Sequence, residues 1–291
     1  MRMTSTLKAF LLILKTYGIS NRVLRQIYVV SADSYKVKTD FPMQFVRERL
    51  TFLPSKSDDV LLNEKAFERF LLNEWPKVQK VMAKTVEKIW FRYDEDIPNW
   101  IKNVEDESIF FFLAGNTAMF RDDYGKTVGV IGSRHLNMKH SDFGKQAIRD
   151  FEGKGYLIVS GLAEGADTLA HTTALEDGLE TAAFLPTKFE DVYPKENNLL
   201  ADDIKRHGGL FTVAAPGSKT YRSNFLIRNE YLTSFVDEVL VIQATLNSGT
   251  MDSIKRSIKK NKPVWFLRQD DIDVNEYLRQ LGAKEYGEIN G

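Results

Sequence analysis

The chain has 291 residues, 43% hydrophobic and 27% charged, with 19 Phe and only 8 Pro, which excludes a disordered or collagen-like chain. It contains no cysteine, so disulfides, thiolate nucleophiles, iron–sulfur clusters and Cys-ligated zinc are ruled out. Lys and Arg total 40, as do Asp and Glu, yet residues 1–50 hold nine bases (Arg2, Lys8, Lys15, Arg22, Arg25, Lys36, Lys38, Arg47, Arg49) against three acids. A neutral total therefore conceals an N-terminal excess of +6, readable as a face for a polyanion or equally as a solvated helical surface. No apolar run approaches the roughly 20 residues that cross a bilayer. The opening run from Leu7 to Leu14 is interrupted by Lys8, followed by Lys15 and lacks a small-residue cleavage site. A cytoplasmic protein without a leader peptide is expected.

Leu7, Phe10, Leu11 and Leu14 recur at helical spacing, as do Val23, Leu24 and Ile27. Between them, Gly18 suits a helix C-terminus and Ser20 or Asn21 an N-cap. Residues 60–90 repeat the helical pattern through Leu61, Phe67, Phe70, Leu71, Val78, Val81, Met82, Val86 and Ile89. Residues 1–100 thus predict a small all-helical N-terminal domain, and the acidic, proline-containing stretch 91–106 predicts a packed connection. From about residue 108, short apolar runs at 109–113, 128–131, 157–159, 181–185, 210–213, 238–242 and 263–267 alternate with helical stretches such as 141–154 and 166–177. That alternation predicts βαβ units and an α/β domain over residues 101–291 with a doubly wound, mostly parallel sheet.

Loops leaving the carboxyl ends of parallel strands gather on one edge of the sheet, where ligands bind. Four such loops carry unusual residues: Gly132-Ser133-Arg134; Ser160-Gly161-Leu162-Ala163-Glu164-Gly165-Ala166-Asp167; Ala214-Ala215-Pro216-Gly217; and Asn247-Ser248-Gly249-Thr250. Their glycines admit a ligand close to the backbone, helix N-termini offer N–H donors to an anion, and Ser133, Ser160, Ser248 and Thr250 add hydroxyls. Neither a G-x-G-x-x-G nor a Walker-type loop is present, which disfavours a nicotinamide or nucleoside-triphosphate enzyme. The segment from Lys219 to Asn229 sets Lys219, Arg222 and Arg228 around Tyr221 and Phe225. Bases that hold phosphates beside a ring that stacks suit a single strand better than a duplex. The competing reading, of equal weight for this segment alone, makes Phe225 a core residue and leaves the bases in water.

Catalytic groupings are sparse. His135 and His140 are five residues apart, off a common helix face, and no H-E-x-x-H is present, so no metal site is expected. Asp167 and His171 are spaced to touch on a helix, but stabilisation of the helix start is favoured over acid–base work. No G-x-S-x-G elbow occurs. Neither catalytic residues nor a cofactor are expected.

Taken in order, Phe112-Leu113-Ala114-Gly115-Asn116, Val128-Gly129-Val130-Ile131-Gly132-Ser133-Arg134, the Ser160–Asp167 loop with His171, Tyr193-Pro194-Lys195-Glu196-Asn197, Asn224-Phe225 with Arg228-Asn229, and Ser248-Gly249-Thr250 resemble the DNA-processing protein A family (DprA, also called Smf). The likeness spans about residues 108–268. It implies an extended Rossmann-type domain that binds single-stranded DNA in a positive pocket. It also implies a non-enzymatic homodimer that protects incoming DNA and loads a RecA-type recombinase during natural transformation. By position, Arg134 and Arg222 would hold phosphates and Phe225 would stack on a base. The wider DNA-binding set comprises Gly132, Ser133, Ser160, Gly161, Gly165, Lys219, Asn224, Arg228, Asn229, Ser248, Gly249 and Thr250. Two departures reduce positive charge: Glu164 stands where relatives carry a base, and Ile227 replaces one base of their Pro-Arg-Arg-Asn run. A rival reading, a nucleotide-binding or nucleotide-hydrolysing protein of the lysine-decarboxylase-like group with a defence role, rests on Asn247 to Asp252, which lacks that group's double glycine.

Overall fold

The computed structural model describes residues 5–32 and 63–287. Arg2, Lys36, Lys38, Arg47, Arg49 and Leu61 lie outside the described residues. Helix α1 (Ser5–Tyr17) ends at Gly18, whose φ of 110° is open to glycine, and α2 (Asn21–Ala32) follows with Ser20 Oγ facing the Val23 amide at 3.5 Å. Two further helices among the described residues, α3 (Glu64–Asn73) and α4 (Trp75–Thr85), belong to the N-terminal layer. Of the N-terminal bases, Lys8 is paired with Asp94 at 2.6 Å, Arg25 with Glu107 at 3.2 Å, and Lys15 donates to Asn21 at 2.7 Å. These three cations are therefore held within the chain.

The remaining chain builds one nine-stranded sheet: β1 (Lys88–Phe91), β2 (Phe110–Gly115), β3 (Lys126–Ile131), β4 (Tyr156–Ser160), β5 (Thr181–Leu185), β6 (Gly209–Thr212), β7 (Glu238–Val241), β8 (Val264–Phe266) and β9 (Lys284–Glu285), in the order β1-β2-β6-β5-β4-β3-β7-β8-β9. All seven apolar runs become strands, within two residues at each end. The β1-β2 and β2-β6 pairings are antiparallel and the others parallel, so the fold is the expected α/β class with a mostly parallel sheet. Strand β1 is a departure, since residues 60–90 read as helical throughout. Its four residues, Lys-Ile-Trp-Phe, are β-branched or aromatic at three positions and gain backbone partners from β2, which outweighs the local helical spacing.

Short α5 (Asn99–Lys102), α6 (Met138–Arg149), α7 (Ala166–Glu176), α8 (Asn198–His207), α9 (Ser223–Phe235), α10 (Gly249–Lys259) and α11 (Ile272–Gln280) cover the sheet. On one face, α5, α9, α10 and α11 bury Trp100, Leu232, Ile254 and Leu278 against Val159, Phe184, Val241 and Phe266. On the other, α6 and α7 bury Ile148 and Ala170 against Val130 and Ile158, while α8 buries Ile204 against Leu210. Coverage of both faces explains why the strands read as continuous apolar runs rather than alternating ones. The N-terminal helices join this body through a shared core, in which Leu11, Leu14 and Phe67 pack with Phe91, Phe110 and Phe112. Among the described residues no helix is long and apolar enough to cross a membrane.

Trp100 anchors the first face: it meets Phe184, Phe211 and Phe235 edge-on at 5.8, 5.2 and 5.0 Å, and its indole N–H donates to the Phe120 carbonyl at 2.8 Å. Trp100→Ala should lower unfolding free energy by about 3–5 kcal/mol in urea titration, and a loss below about 1 kcal/mol would contradict this role.

Candidate functional site

Strand order determines where a ligand has room. The chain leaves β3 towards β4, β5 and β6 on one side, then returns to place β7 and β8 on the other. The loops after β3 and β7 therefore diverge and leave a crevice between them. Hydrogen bonds to main-chain carbonyls fix its walls. The Ser133 amide donates to the Gln243 carbonyl (2.7 Å), the Ala166 amide to the Ser133 carbonyl (3.0 Å), and the Thr250 hydroxyl to the Gly132 carbonyl (3.0 Å). Gly165 is required where the two loops meet: its φ is +71°, and a Cβ there would lie 2.3 Å from the Ser133 carbonyl oxygen.

The resulting cavity holds about 470 Å³. Eight predicted residues line it: Gly132, Ser133, Arg134, Arg228, Asn229, Ser248, Gly249 and Thr250. They converge from β3, α9 and α10, distant in sequence. Arg134 is exposed, with no hydrogen bond or ion pair among the described residues. The N-terminus of α10 lines the same cavity, capped by Ser248, whose hydroxyl oxygen accepts from the Met251 amide at 3.3 Å. Beside Gly249 there is open space. A guanidinium and a helix N-terminus lining one cavity make it an electropositive slot suited to phosphate.

Other predicted residues serve the fold instead. Ser160 is fully buried, and its hydroxyl donates to the Val130 carbonyl at 2.6 Å, bridging neighbouring strands; it is a cross-strand tie, not a ligand donor. Gly161 faces the Arg228 guanidinium, which would collide with any Cβ there, so it makes room for an internal side chain. Arg228, 7% exposed, donates to the Gly161 carbonyl and to the Phe184 carbonyl (3.3 Å) and faces Asp167 at 3.6 Å. Burial pulls its pKa below the ordinary guanidinium value, Asp167 opposes that pull and Arg134 adds to it. Only part of Arg228 is thus left to serve a ligand. Asn224 likewise spends its amide, on the Pro186 carbonyl at 3.1 Å.

Lys219, Arg222 and Phe225 do not line the cavity: Phe225 lies in the first turn of α9, one helical turn before Asn229, and Lys219 and Arg222 precede the helix. Lys219 and Arg222 are exposed. Phe225 is half-buried, and its ring meets the half-exposed Tyr193 ring edge-on at 5.6 Å. Phe225 is thus not a wholly buried core residue. In the sequence, Tyr193 is distinguished only by its place in the Tyr-Pro motif.

Asp167 and His171 do not pair. The His171 Nδ1 meets Thr181 Oγ1 at 2.7 Å, while Thr181 itself donates to the Ile158 carbonyl, so the ring donates there. Burial, assisted by Arg228, lowers the His171 pKa from 6.5 to about 3. Between those values only the unfolded chain takes up the proton, so stability falls as pH drops through that window, by up to about 1.4 kcal/mol per pH unit. In urea unfolding from pH 6.5 to about 5, His171→Gln should show a flatter loss of stability than the parent; equal slopes would refute a buried neutral ring. Among the described residues no cluster of three or more His, Cys, Asp or Glu is placed to hold a metal ion.

With this geometry in view, residues 88–285 match the DNA recombination-mediator protein A family. The chain belongs to that family. It is 29% identical to DNA processing protein DprA of Streptococcus pneumoniae over 195 residues, 66% of this chain and 68% of that protein. With DprA of Bacillus subtilis it shares 27% identity over 172 residues, 58% of this chain, and spans just over half (56%) of that relative's length. Among solved structures, DprA of S. pneumoniae has the same fold, with a TM-score of 0.74 over 98% of this chain and 95% of that one at 23% identity. Helicobacter pylori DNA processing protein A, described for its single-stranded DNA binding mode, superposes with a TM-score of 0.62 at 26% identity, over 70% of this chain and 93% of its own.

Proposed function

We propose that this protein binds single-stranded DNA along the crevice and the start of α9, without catalysing a reaction, and acts as a recombination mediator. The observation that carries this reading is that Arg134, without a hydrogen-bond or ion-pair partner among the described residues, lines the same cavity as the α10 N-terminus, and that this cavity has room for a nucleotide. Beyond the cavity, Phe225 provides a partly exposed ring in the first turn of α9, and Lys219 and Arg222 provide cations just before it. Phosphates would sit against Arg134, Arg222 and the α10 amides, and a base against Phe225. Such contacts read the backbone and a ring face, so little sequence preference is expected. Family membership supports the rest of the reading: a homodimer, the delivery of a RecA-type recombinase to the bound strand, protection of incoming DNA, and a cytoplasmic setting.

Fluorescence anisotropy with oligothymidine and with duplex across a salt series tests the proposal. The single strand should bind more tightly, with log K falling linearly as log salt rises. Arg134→Ala and Phe225→Ala should each weaken binding by about 1–3 kcal/mol, and unchanged affinity in both variants would remove the proposed interface. Glu164 is exposed at the loop beside Arg134, so Glu164→Lys should tighten binding most at low salt. Unaltered affinity there would mean that the strand does not pass this loop.

A further inference from the structure

The loop between β5 and α8 and the segment leading into α9 are distant in sequence but joined in space. Asn224 donates to the Pro186 carbonyl at 3.1 Å, Lys188 to the Ser218 carbonyl at 2.8 Å, and the Gly217 amide to the Glu190 carboxylate at 2.8 Å. On this joined surface three large apolar side chains stay exposed: Tyr193 at 50%, Tyr221 at 62% and Leu226 at 60%. Exposed apolar area gathered beside cations marks an interaction surface. Tyr193 makes no hydrogen bond among the described residues, so its hydroxyl does not account for its position. Its ring meets Phe225 at 5.6 Å with the planes at 87°.

Two half-exposed rings at right angles form a corner. A flat heterocycle laid on the face of one ring meets the edge of the other, and both contacts are favourable for aromatic quadrupoles. A phenylalanine alone offers one stacking contact; the corner also limits rotation of the base in its plane. The exposed Lys219 and Arg222 stand on the same segment, within reach of the phosphates on either side of such a base.

We propose that Tyr193 and Phe225 form a subsite for one unpaired base, with Tyr193 a contact residue in its own right. This rests on the single-strand reading above. Its test uses the full chain and a set of oligothymidines, each carrying one 2-aminopurine at a different position, because that fluorophore dims when stacked on a ring. The parent protein and Tyr193→Phe should both quench one position strongly. Tyr193→Leu, which keeps apolar bulk without a π face, should lose that quench and bind roughly 5–100-fold more weakly. Melting temperature checks that the variant is folded, and Tyr193→Gln is a second variant should Leu at this position destabilise the loop. Retained quench and affinity in folded Leu or Gln variants would overturn the subsite while leaving the DNA reading intact. No binding by the parent protein would overturn both.

Discussion

From α9, the Arg228 side chain reaches through the sheet's carboxyl edge to the carbonyls of Gly161 and Phe184 and to the Asp167 carboxylate, and almost none of it touches water. Everything around the crevice leans on this contact. It ties α9 to the loop after β4, and that loop in turn holds the Gly132-Ser133-Arg134 turn through the Ala166 amide. A buried charge is tolerated only when paired and hydrogen-bonded, and stripping one partner from such a pair typically costs about 3–5 kcal/mol. Arg228 therefore sets the spacing between helix and loops, and by doing so leaves Arg134 as the exposed guanidinium of the cavity lining.

This division of labour between two arginines explains what a charge count obscures. The chain is neutral overall, and two of its N-terminal bases, Lys8 and Arg25, are held by internal acids. Electropositive character at the crevice comes instead from a few oriented groups: one free guanidinium, the amides opening α10, and the exposed cations before α9. Local fields of this kind act through geometry and low-dielectric walls, not through net charge. The carboxylate of Asp167 is spent on Arg228 and on the Ala163 amide, so it adds little repulsion towards an anion.

Most of the architecture was legible because a sheet covered on both faces writes itself as apolar runs separated by helical spacing, as 128–131 and 181–185 illustrate. Strand β1 was not, since four residues cannot establish a period and their antiparallel partner lies some twenty residues downstream. Residues of three of the four loops singled out in the sequence line one cavity, whereas the partners of individual atoms were not legible. Ser160, Gly161 and Asn224 carry the groups a ligand would want, but a hydroxyl, a bare Cα or an amide looks the same in sequence whether its partner is a ligand or the protein's own backbone. The contact between the Tyr193 and Phe225 rings was not legible for the opposite reason: the two residues are 32 positions apart and meet only in the fold.

The shared core between the N-terminal helices and the sheet has a consequence for how the molecule divides. The family match begins at residue 88, where β1 starts, which suggests a place to cut. Yet Phe91, Phe110 and Phe112 on the sheet have Leu11, Leu14 and Phe67 for their covering layer. A fragment trimmed at that point would bare a greasy flank of aromatic rings and tend to self-associate. The seam drawn by kinship and the seam along which the protein comes apart are two different lines.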